Sequence, residues 1–149
     1  MKKLLSILFA LAAFVTFQSC TEDLTDDGFK AKVVTLDVTN VSLDSFTANA
    51  TVDYSGGSAC VGSAGVFFSD KPNITKGRIM SEEIYLKNGK NNIGGPVKNY
   101  VADPATGIKM YFFEPKTTVY YRAFARIFTP DKGDQYVYGE EKSFVIPAE

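Results

Sequence analysis

The sequence predicts an all-β domain in which two antiparallel sheets pack face to face as a sandwich. Several short segments alternate apolar and polar residues at period two, and turn residues separate them about every 8 to 12 positions. No segment has a sustained helical period, and no internal repeat occurs. With 149 residues, the chain has room for one domain of ordinary size.

The longest alternation lies within residues 113–128, which we expect to contain the central strand. One set of side chains is apolar and suits the core: Val119, Tyr121, Ala123, Ala125 and Ile127. The other set mixes aromatic and charged residues and suits a solvated or covered face: Tyr120, Arg122, Phe124, Arg126 and Phe128. Pro115 marks a turn just before the strand.

Two strands are expected near the start of the domain. Residues 33–43 predict a first strand with Val34, Leu36 and Val38 on the core side. Residues 45–54 predict its antiparallel partner, and their alternation has no fault. The core side of this second strand is Phe46, Ala48, Ala50, Val52 and Tyr54. Gly56 and Gly57 then end it.

The middle of the chain is less regular. Residues 64–69 predict a short strand, whereas residues 78–86 predict either a strand or a short helical turn over 80–84. Residues 87–107 are rich in glycine, asparagine and proline, so we expect a long irregular connection, with room for a hairpin at Asn88 and Gly89. Further short strands are expected over 108–113, 135–138 and 141–146.

The first 20 residues have the pattern of an export signal. Lys2 and Lys3 precede an apolar run over residues 4–17, and Ser19 stands directly before Cys20. The run is short for a membrane-spanning helix. The cysteine at the cleavage point resembles the lipobox of bacterial lipoproteins. That resemblance implies a signal peptide over 1–19 and fatty acids such as palmitate attached to Cys20.

Residues 20–29 are expected to form a flexible tether to a domain over residues 30–147, because four acidic residues stand in a segment with little to bury. An acidic cluster after a lipidated cysteine also resembles the signals that send Gram-negative lipoproteins to the outer face of the outer membrane. We therefore expect a protein that a lipid anchors in the outer membrane and that faces the cell exterior.

The strand segments resemble a known family. Phe113, Pro115 and Thr117, followed by residues 120–125 and later Tyr138, Gly139 and Phe144, are similar to strands E to G of the fibronectin type III-like domains of Gram-negative surface lipoproteins. Residues 57–75 are similar to their B–C loop and C strand. The resemblance implies an immunoglobulin-like sandwich over nearly the whole mature domain.

The chain departs from that family at three places. Val119 stands where the family often has a tyrosine that bonds to its turn, so Tyr120 or Tyr121 supplies this bond or it is absent. No tryptophan is present to fill the core. We expect five aromatic residues to fill that volume: Phe46, Tyr54, Phe68, Tyr121 and Phe144. Residues 76–107 are also longer than such domains need.

Composition excludes several kinds of function. The chain has no histidine, which removes nucleophilic pairs that need histidine and imidazole metal ligands. Its 16 basic and 17 acidic residues argue against a nucleic-acid partner. Adjacent carboxylates on a strand point to opposite faces, so Glu82 with Glu83 and Glu140 with Glu141 do not predict glycoside hydrolysis. We expect no metal, no cofactor and no enzymatic activity.

Two sets of residues are candidates for binding a surface protein or a glycan. The first set lies in the expected connection and offers hydrogen-bonding groups and one aromatic ring: Asn91, Asn92, Asn99, Tyr100 and Asp103. An alternative is that Ile93, Val97, Tyr100 and Val101 form an additional edge strand. The second set is a possible surface patch on the outer face of the central strand: Tyr120, Arg122, Phe124 and Arg126. The function expected is a non-catalytic binding or structural module, with glycan binding in carbohydrate uptake as the alternative and a hydrolase as the least favoured one.

If Cys20 carries the lipid, a fatty-acid probe fed to a native host will label the wild-type protein and will not label Cys20→Ala. Only the cysteine thiol can form the thioether to diacylglycerol, and several acyl chains anchor a protein stably where one chain binds marginally. Equal labelling of both proteins, or labelling of neither, would contradict lipidation at this residue.

Overall fold

The computed structural model of the chain describes residues 23–26, 29–57, 61–79 and 83–148. Among these residues every regular element is a strand, and none forms a helix. The strands are β1 (Asp23–Asp26), β2 (Phe29–Thr35), β3 (Ser45–Gly56), β4 (Val61–Ser69), β5 (Arg78–Ile79), β6 (Ile84–Tyr85), β7 (Gly89–Lys98), β8 (Tyr100–Ala102), β9 (Lys109–Tyr111), β10 (Thr118–Thr129), β11 (Gly133–Tyr138) and β12 (Lys142–Val145). Cys20 and Cys60 lie outside the described residues.

The strands form two larger sheets and one hairpin. The first sheet has the order β1-β2-β3-β7. The second has the order β11-β10-β4-β5, with β12 also beside β10 and β6 also beside β4. Strands β8 and β9 pair only with each other. All of these pairs are antiparallel, which confirms the predicted all-β, antiparallel class.

The two larger sheets share one hydrophobic core, as the alternation in β3 and β10 predicts. All five predicted core residues of β3 are at most 4% exposed: Phe46, Ala48, Ala50, Val52 and Tyr54. The five of β10 are at most 2% exposed: Val119, Tyr121, Ala123, Ala125 and Ile127. Strand β10 lies inside its sheet, between β4 on one side and β11 and β12 on the other, so its predicted central position is also confirmed.

Aromatic rings fill the centre of the core in a chain that has no tryptophan. The ring centroid of Phe46 lies 5.2 Å from that of Phe68 and 4.8 Å from that of Phe144. Tyr121 meets Phe144 edge-on at 5.7 Å. Four of the five rings expected to fill this volume therefore contact one another, and Tyr54 is buried in the same core.

The Tyr121 hydroxyl makes a long-range hydrogen bond, but the bond does not reach the turn before β10. The hydroxyl donates to the Leu36 carbonyl oxygen at 3.1 Å and accepts from the Val38 N–H at 3.3 Å. It therefore holds the segment that follows β2. Burial raises the pKa of this phenol, which keeps the hydroxyl protonated as a donor.

The predicted phase of the first strand is wrong. Val34 is only partly buried and Leu36 is 39% exposed, whereas β2 buries the opposite set. The buried set is Phe29, Ala31, Val33 and Thr35. The strand begins at Phe29, earlier than predicted, and pairing of Val33 with Val52 fixes its register. Because side chains alternate, a shift of one residue moves every one to the other face.

The predicted irregular connection over 87–107 is also wrong. Residues 89–98 form β7, which pairs with β3 along its whole length and is the edge strand of the first sheet. Ile93 and Val97 are buried, so the alternative of an additional edge strand is confirmed for these two residues. Tyr100 and Val101 instead belong to the β8–β9 hairpin. An edge strand tolerates Pro96, because only one side of its backbone needs a partner.

Two other expectations need correction. Residues 23–26, expected within a flexible tether, form β1 and pair with β2. This pairing closes the edge of β2, which would otherwise be open. Residues 78–86 contain the two-residue strands β5 and β6 beside β4, and residues 80–82, where a helical turn was the alternative, lie outside the described part.

Replacing Thr35 with valine should lower the free energy of unfolding by about 1 to 3 kcal/mol, the range for leaving a buried donor unpaired. Thr35 is 3% exposed, and its hydroxyl accepts the Ala123 N–H across the two sheets at 3.1 Å. Urea denaturation measures the change. Thr51→Val, on the outer face of β3, is the control and should stay within about 0.5 kcal/mol. A Thr35→Val protein as stable as the wild type would contradict this role.

Candidate functional site

The outer face of the second sheet carries a row of four side chains across four strands. Tyr85 of β6 is in register with Ser63 of β4, Ser63 with Arg126 of β10, and Arg126 with Tyr136 of β11. Residues in register point to the same face, and neighbouring strands lie about 4.8 Å apart. The row therefore extends for roughly 14 Å, with a tyrosine at each end and polar groups between them.

The centre of this row is an ion pair with a hydroxyl donor. Glu83 Oε1 accepts a hydrogen bond from Ser63 Oγ at 2.5 Å and lies 3.5 Å from Arg126 Nη2. The Glu83 carboxylate raises the pKa of the Arg126 guanidinium further. Both side chains remain partly open to solvent, at 30% and 43% exposed. A ligand can therefore reach donors and an acceptor at one place.

Aromatic rings surround this centre and are unusually open. Tyr85 is 79% exposed, Phe128 48% and Tyr136 36%. Three adjoining cavities of about 400, 220 and 120 Å³ share Arg126 as a lining residue. We call this surface the outer groove. Its defining residues are Ser63, Glu83, Tyr85, Arg126, Phe128, Asp134 and Tyr136.

The predicted surface patch on β10 is therefore only partly open, and Phe124 is not a surface residue. Phe124 is 1% exposed and stacks on Phe67 at 4.1 Å between ring centroids, with Ile74 packed against both. The loop that contains Asn73 and Ile74 covers the Phe124 ring. Glu141, which is distant in the sequence, holds this loop by accepting the backbone N–H groups of both residues. Sequence spacing does not reveal a contact of this kind.

Two further members of the patch are half-buried beside this cover. The Arg122 guanidinium stacks over the Tyr138 ring at 4.7 Å and donates from Nε to the Gly139 carbonyl oxygen at 2.7 Å. Tyr120 packs against the buried group of Phe67, Ile74 and Phe124. Of the four predicted patch residues, Arg126 lines all three cavities of the outer groove, and Phe124 lines one of them.

Two predicted binding asparagines are internal. Asn91 is 8% exposed; its side-chain amide donates to three backbone carbonyl groups and accepts the Lys87 N–H. Asn99 is fully buried; its amide donates to the carbonyl oxygens of Leu43 and Phe113 and accepts the Phe113 N–H. These amides stabilise turns and are not available to a ligand.

The other three members of that set do not converge. Asn92 is exposed on the outer face of the first sheet, and Tyr100 is half-buried at the start of the β8–β9 hairpin. Asp103 accepts the Ala105 N–H within the hairpin turn, and this hydrogen bond holds the pKa of its carboxyl below the usual value. The structure therefore does not bring the five predicted residues into one site.

The hairpin is fixed to the first sheet through Asp44. The Asp44 carboxylate pairs with the Lys109 ammonium and accepts the Tyr111 hydroxyl at 2.8 Å. The hydrogen bond from Lys109 contributes most, and that from Tyr111 second most, to holding the pKa of this carboxyl below its usual value. The pair lies at the surface and contributes modestly, but together with Asn99 it sets where the hairpin sits.

Sequence reasoning missed Tyr85 and Glu83 as site residues. Glu83 had the pattern of a solvated charge, and the poor phase of residues 78–86 hid β6. One signal was present: Ile84 and Leu86 both pack against the core, and a strand with both on its inner side turns Tyr85 outward.

Other features of the described residues complete the picture. No group of three or more histidine, cysteine, aspartate or glutamate side chains there could hold a metal ion. In the same part of the chain, no helix is long and apolar enough to cross a membrane.

Comparison of the chain with family models, with curated proteins and with solved structures finds no match.

An Asn99→Asp variant should be less stable than the wild type by more than about 2 kcal/mol at neutral pH. A buried carboxylate cannot donate to the carbonyl oxygens of Leu43 and Phe113 and carries a charge without a partner. Chemical denaturation followed by circular dichroism measures the loss. Asn92→Asp makes the same change at an exposed position of β7 and should stay within about 0.5 kcal/mol. Equal stability of the two variants would show that Asn99 is not structural.

Proposed function

We propose that the chain is a non-catalytic binding module that a lipid on Cys20 anchors in the outer membrane, facing the cell exterior, and that it binds a carbohydrate chain in the outer groove. The observation that carries the proposal is the pair of open tyrosines, Tyr85 and Tyr136, at the two ends of a row centred on Arg126. Exposed aromatic rings grouped around an ion pair are costly to leave in contact with water, and such a surface is typical of a binding site.

A fibronectin type III-like fold is part of this proposal. In immunoglobulin-like sandwiches, strands A, B and E share one sheet and strands C, F and G share the other. The orders β2-β3-β7 and β4-β10-β11 support the assignment of these strands as A, B, E and C, F, G. On this assignment β1 and the β8–β9 hairpin are additions. The hydrogen bonds of Tyr121 to the segment after β2 replace the family's usual turn bond.

The chemistry of the groove favours a sugar over a purely apolar ligand. The C–H faces of a pyranose ring pack on aromatic rings, while its hydroxyl groups need both donors and acceptors. Tyr85, Phe128 and Tyr136 offer ring faces, Arg126 offers donors, and Glu83 offers an acceptor. Among the described residues that line the groove, the charges of Lys76 and Arg126 offset those of Glu83 and Asp134, so the groove suits a neutral sugar.

The same groove does not favour hydrolysis. Glycoside hydrolases need two carboxyl groups, one of which must be protonated to act as the general acid. Glu83 accepts the Ser63 hydroxyl and pairs with Arg126, so its oxygens serve as acceptors. These contacts support a binding role.

Affinity electrophoresis of the full chain in gels that contain xyloglucan, galactomannan or soluble starch tests the proposal. We expect at least one of these neutral polysaccharides to retard the wild type, and Tyr85→Ala to weaken that binding about three- to tenfold, as expected for one lost aromatic contact. Tyr85 is 79% exposed, so its truncation leaves the core intact.

Met110→Ala is the control, because it removes a large side chain that is 60% exposed and lies on the β8–β9 hairpin, outside the outer groove. It should bind the neutral polysaccharides as the wild type does. Migration that no neutral polysaccharide changes, or equal retardation of Tyr85→Ala and wild type, would overturn carbohydrate binding at this groove.

A further inference from the structure

A second cavity opens where the edges of the two larger sheets approach each other beside the hairpin. We call this cavity of about 520 Å³ the side cleft. Three separate parts of the chain line it: Arg78 and Ile79 of β5, Pro96 and Lys98 of β7, and Tyr100 and Phe112 at the base of the hairpin. It shares Ile79 with the 220 Å³ cavity of the outer groove and no residue with the other two cavities.

The lining of the side cleft is positively charged. Arg78 and Lys98 are exposed, and no carboxylate is among the described residues that line the cavity. Lys109, Arg126 and Lys142, by contrast, each form an ion pair with an acidic residue. Two cations without an acid in the same cavity attract an anion and hold it at short range.

Contacts with aromatic rings orient the charged groups of Arg78 and Lys109. The Arg78 guanidinium lies over the Phe112 ring with its Cζ 4.4 Å from the ring centroid. Stacking occupies one face of the guanidinium and leaves the N–H groups at its edge free to form a fork around a carboxylate or sulfate. The Lys109 ammonium lies 4.5 Å from the Tyr100 centroid, and its charge is offset by Asp44.

The hairpin that closes the cleft is held in place. Asn99 joins the backbone before β3 to the backbone after β9, and the Tyr111 hydroxyl donates to Asp44. Tyr100 and Tyr111 pack edge to face with their centroids 6.0 Å apart. The rings of the hairpin therefore keep a fixed geometry before any ligand arrives, which reduces the cost of binding.

We infer that the side cleft binds an acidic oligosaccharide, with a carboxylate or sulfate group between Arg78 and Lys98 and a sugar face against Tyr100 or Phe112. The charge selects an anion, and the two rings provide a surface that an inorganic ion does not use. This inference does not depend on the outer groove, whose paired charges suit neutral sugars.

Isothermal titration calorimetry of the full chain in detergent, at low ionic strength, tests the inference with two probes. Tetragalacturonate carries four carboxylates, and its carboxyl-reduced form is neutral with the same backbone. We expect the acidic probe to bind at least tenfold more tightly than the reduced one, and to weaken as sodium chloride is raised. Lys98→Gln and Arg78→Gln should each weaken binding at least fivefold.

Lys90→Gln is the matched control, because Lys90 is also exposed and also lies on β7, but does not line the cleft. It should bind tetragalacturonate as the wild type does. Arg78→Lys keeps the charge but loses the fork, so its affinity should fall between those of wild type and Arg78→Gln. Circular dichroism of each variant checks that it is folded.

Three results would overturn the inference: equal binding of the acidic and the reduced probe, no effect of Arg78→Gln and Lys98→Gln in folded protein, or displacement of tetragalacturonate by an equal concentration of sodium sulfate. The last result would mean that the cleft holds an ion without recognising a sugar. Loss of neutral-polysaccharide binding in Tyr85→Ala would leave tetragalacturonate binding unchanged, which separates this site from the outer groove.

Discussion

The hydrogen bond from the Ala123 N–H to the Thr35 hydroxyl fixes how the two sheets meet. Strand β10 pairs with β12 along its first half and with β11 along its second half, so the backbone ladder breaks between them. At this break the Gly139 N–H donates to the Ala123 carbonyl oxygen, and Thr35 accepts the Ala123 N–H from the other sheet. A Cβ at Gly139 would collide with Thr35 Oγ1 and the Thr35 backbone nitrogen. A glycine and a buried threonine are therefore both required at this point.

Fixing β10 also fixes the surface that we assign to binding. Once Ala123 and Ala125 face the core, Arg126 must face outward, and its partners in register are Ser63 and Tyr136. The outer groove is thus a direct consequence of strand pairing in the second sheet. The side cleft has a different origin, because edge strands from both sheets and an added hairpin line it.

The sequence predicts the fold best where one face of a strand is buried without exception. Strands β3 and β10 alternate along their length, so their faces can be read from the residues alone. At the end of β2 the polar Thr35 is buried, and the apolar Leu36 that follows it is exposed. Thr35 is buried because its hydroxyl accepts the Ala123 N–H where the β10 ladder breaks. The pattern of apolar residues then gives the opposite phase.

Strand β7 and the sites escape prediction for another physical reason. Gly94 has a positive φ and packs so closely on the Ala48 backbone that a Cβ would not fit, and Pro96 stands nearby at an outer edge. These residues are typical of loops, yet they suit this edge. Arg126 and Tyr136 could be placed on one face from the sequence. The alternation of Ile84, Tyr85 and Leu86 indicates that Tyr85 faces outward, but its place beside Ser63 depends on the pairing of β6 with β4.

The two surfaces that we propose for binding differ in charge and in their place along the first sheet. Asp23, the first described residue, is in register with Lys32, which pairs with Asp53 on β3. Lys98 of the side cleft is in register with Ser45 at the start of β3. At about 3.3 Å per residue, these two points on β3 are roughly 26 Å apart. Cys20, where we propose the lipid, stands three residues before Asp23 in the sequence, so this proposal puts the membrane at the Asp23 end of the first sheet and the side cleft at the other end. The outer groove lies nearer to Asp23, because Phe128 and Tyr85 pair with the beginning of β4, which follows the end of β3. If both proposals hold, an acidic polymer that approaches from outside the cell meets the side cleft before the outer groove, and long-range attraction between charges favours that encounter.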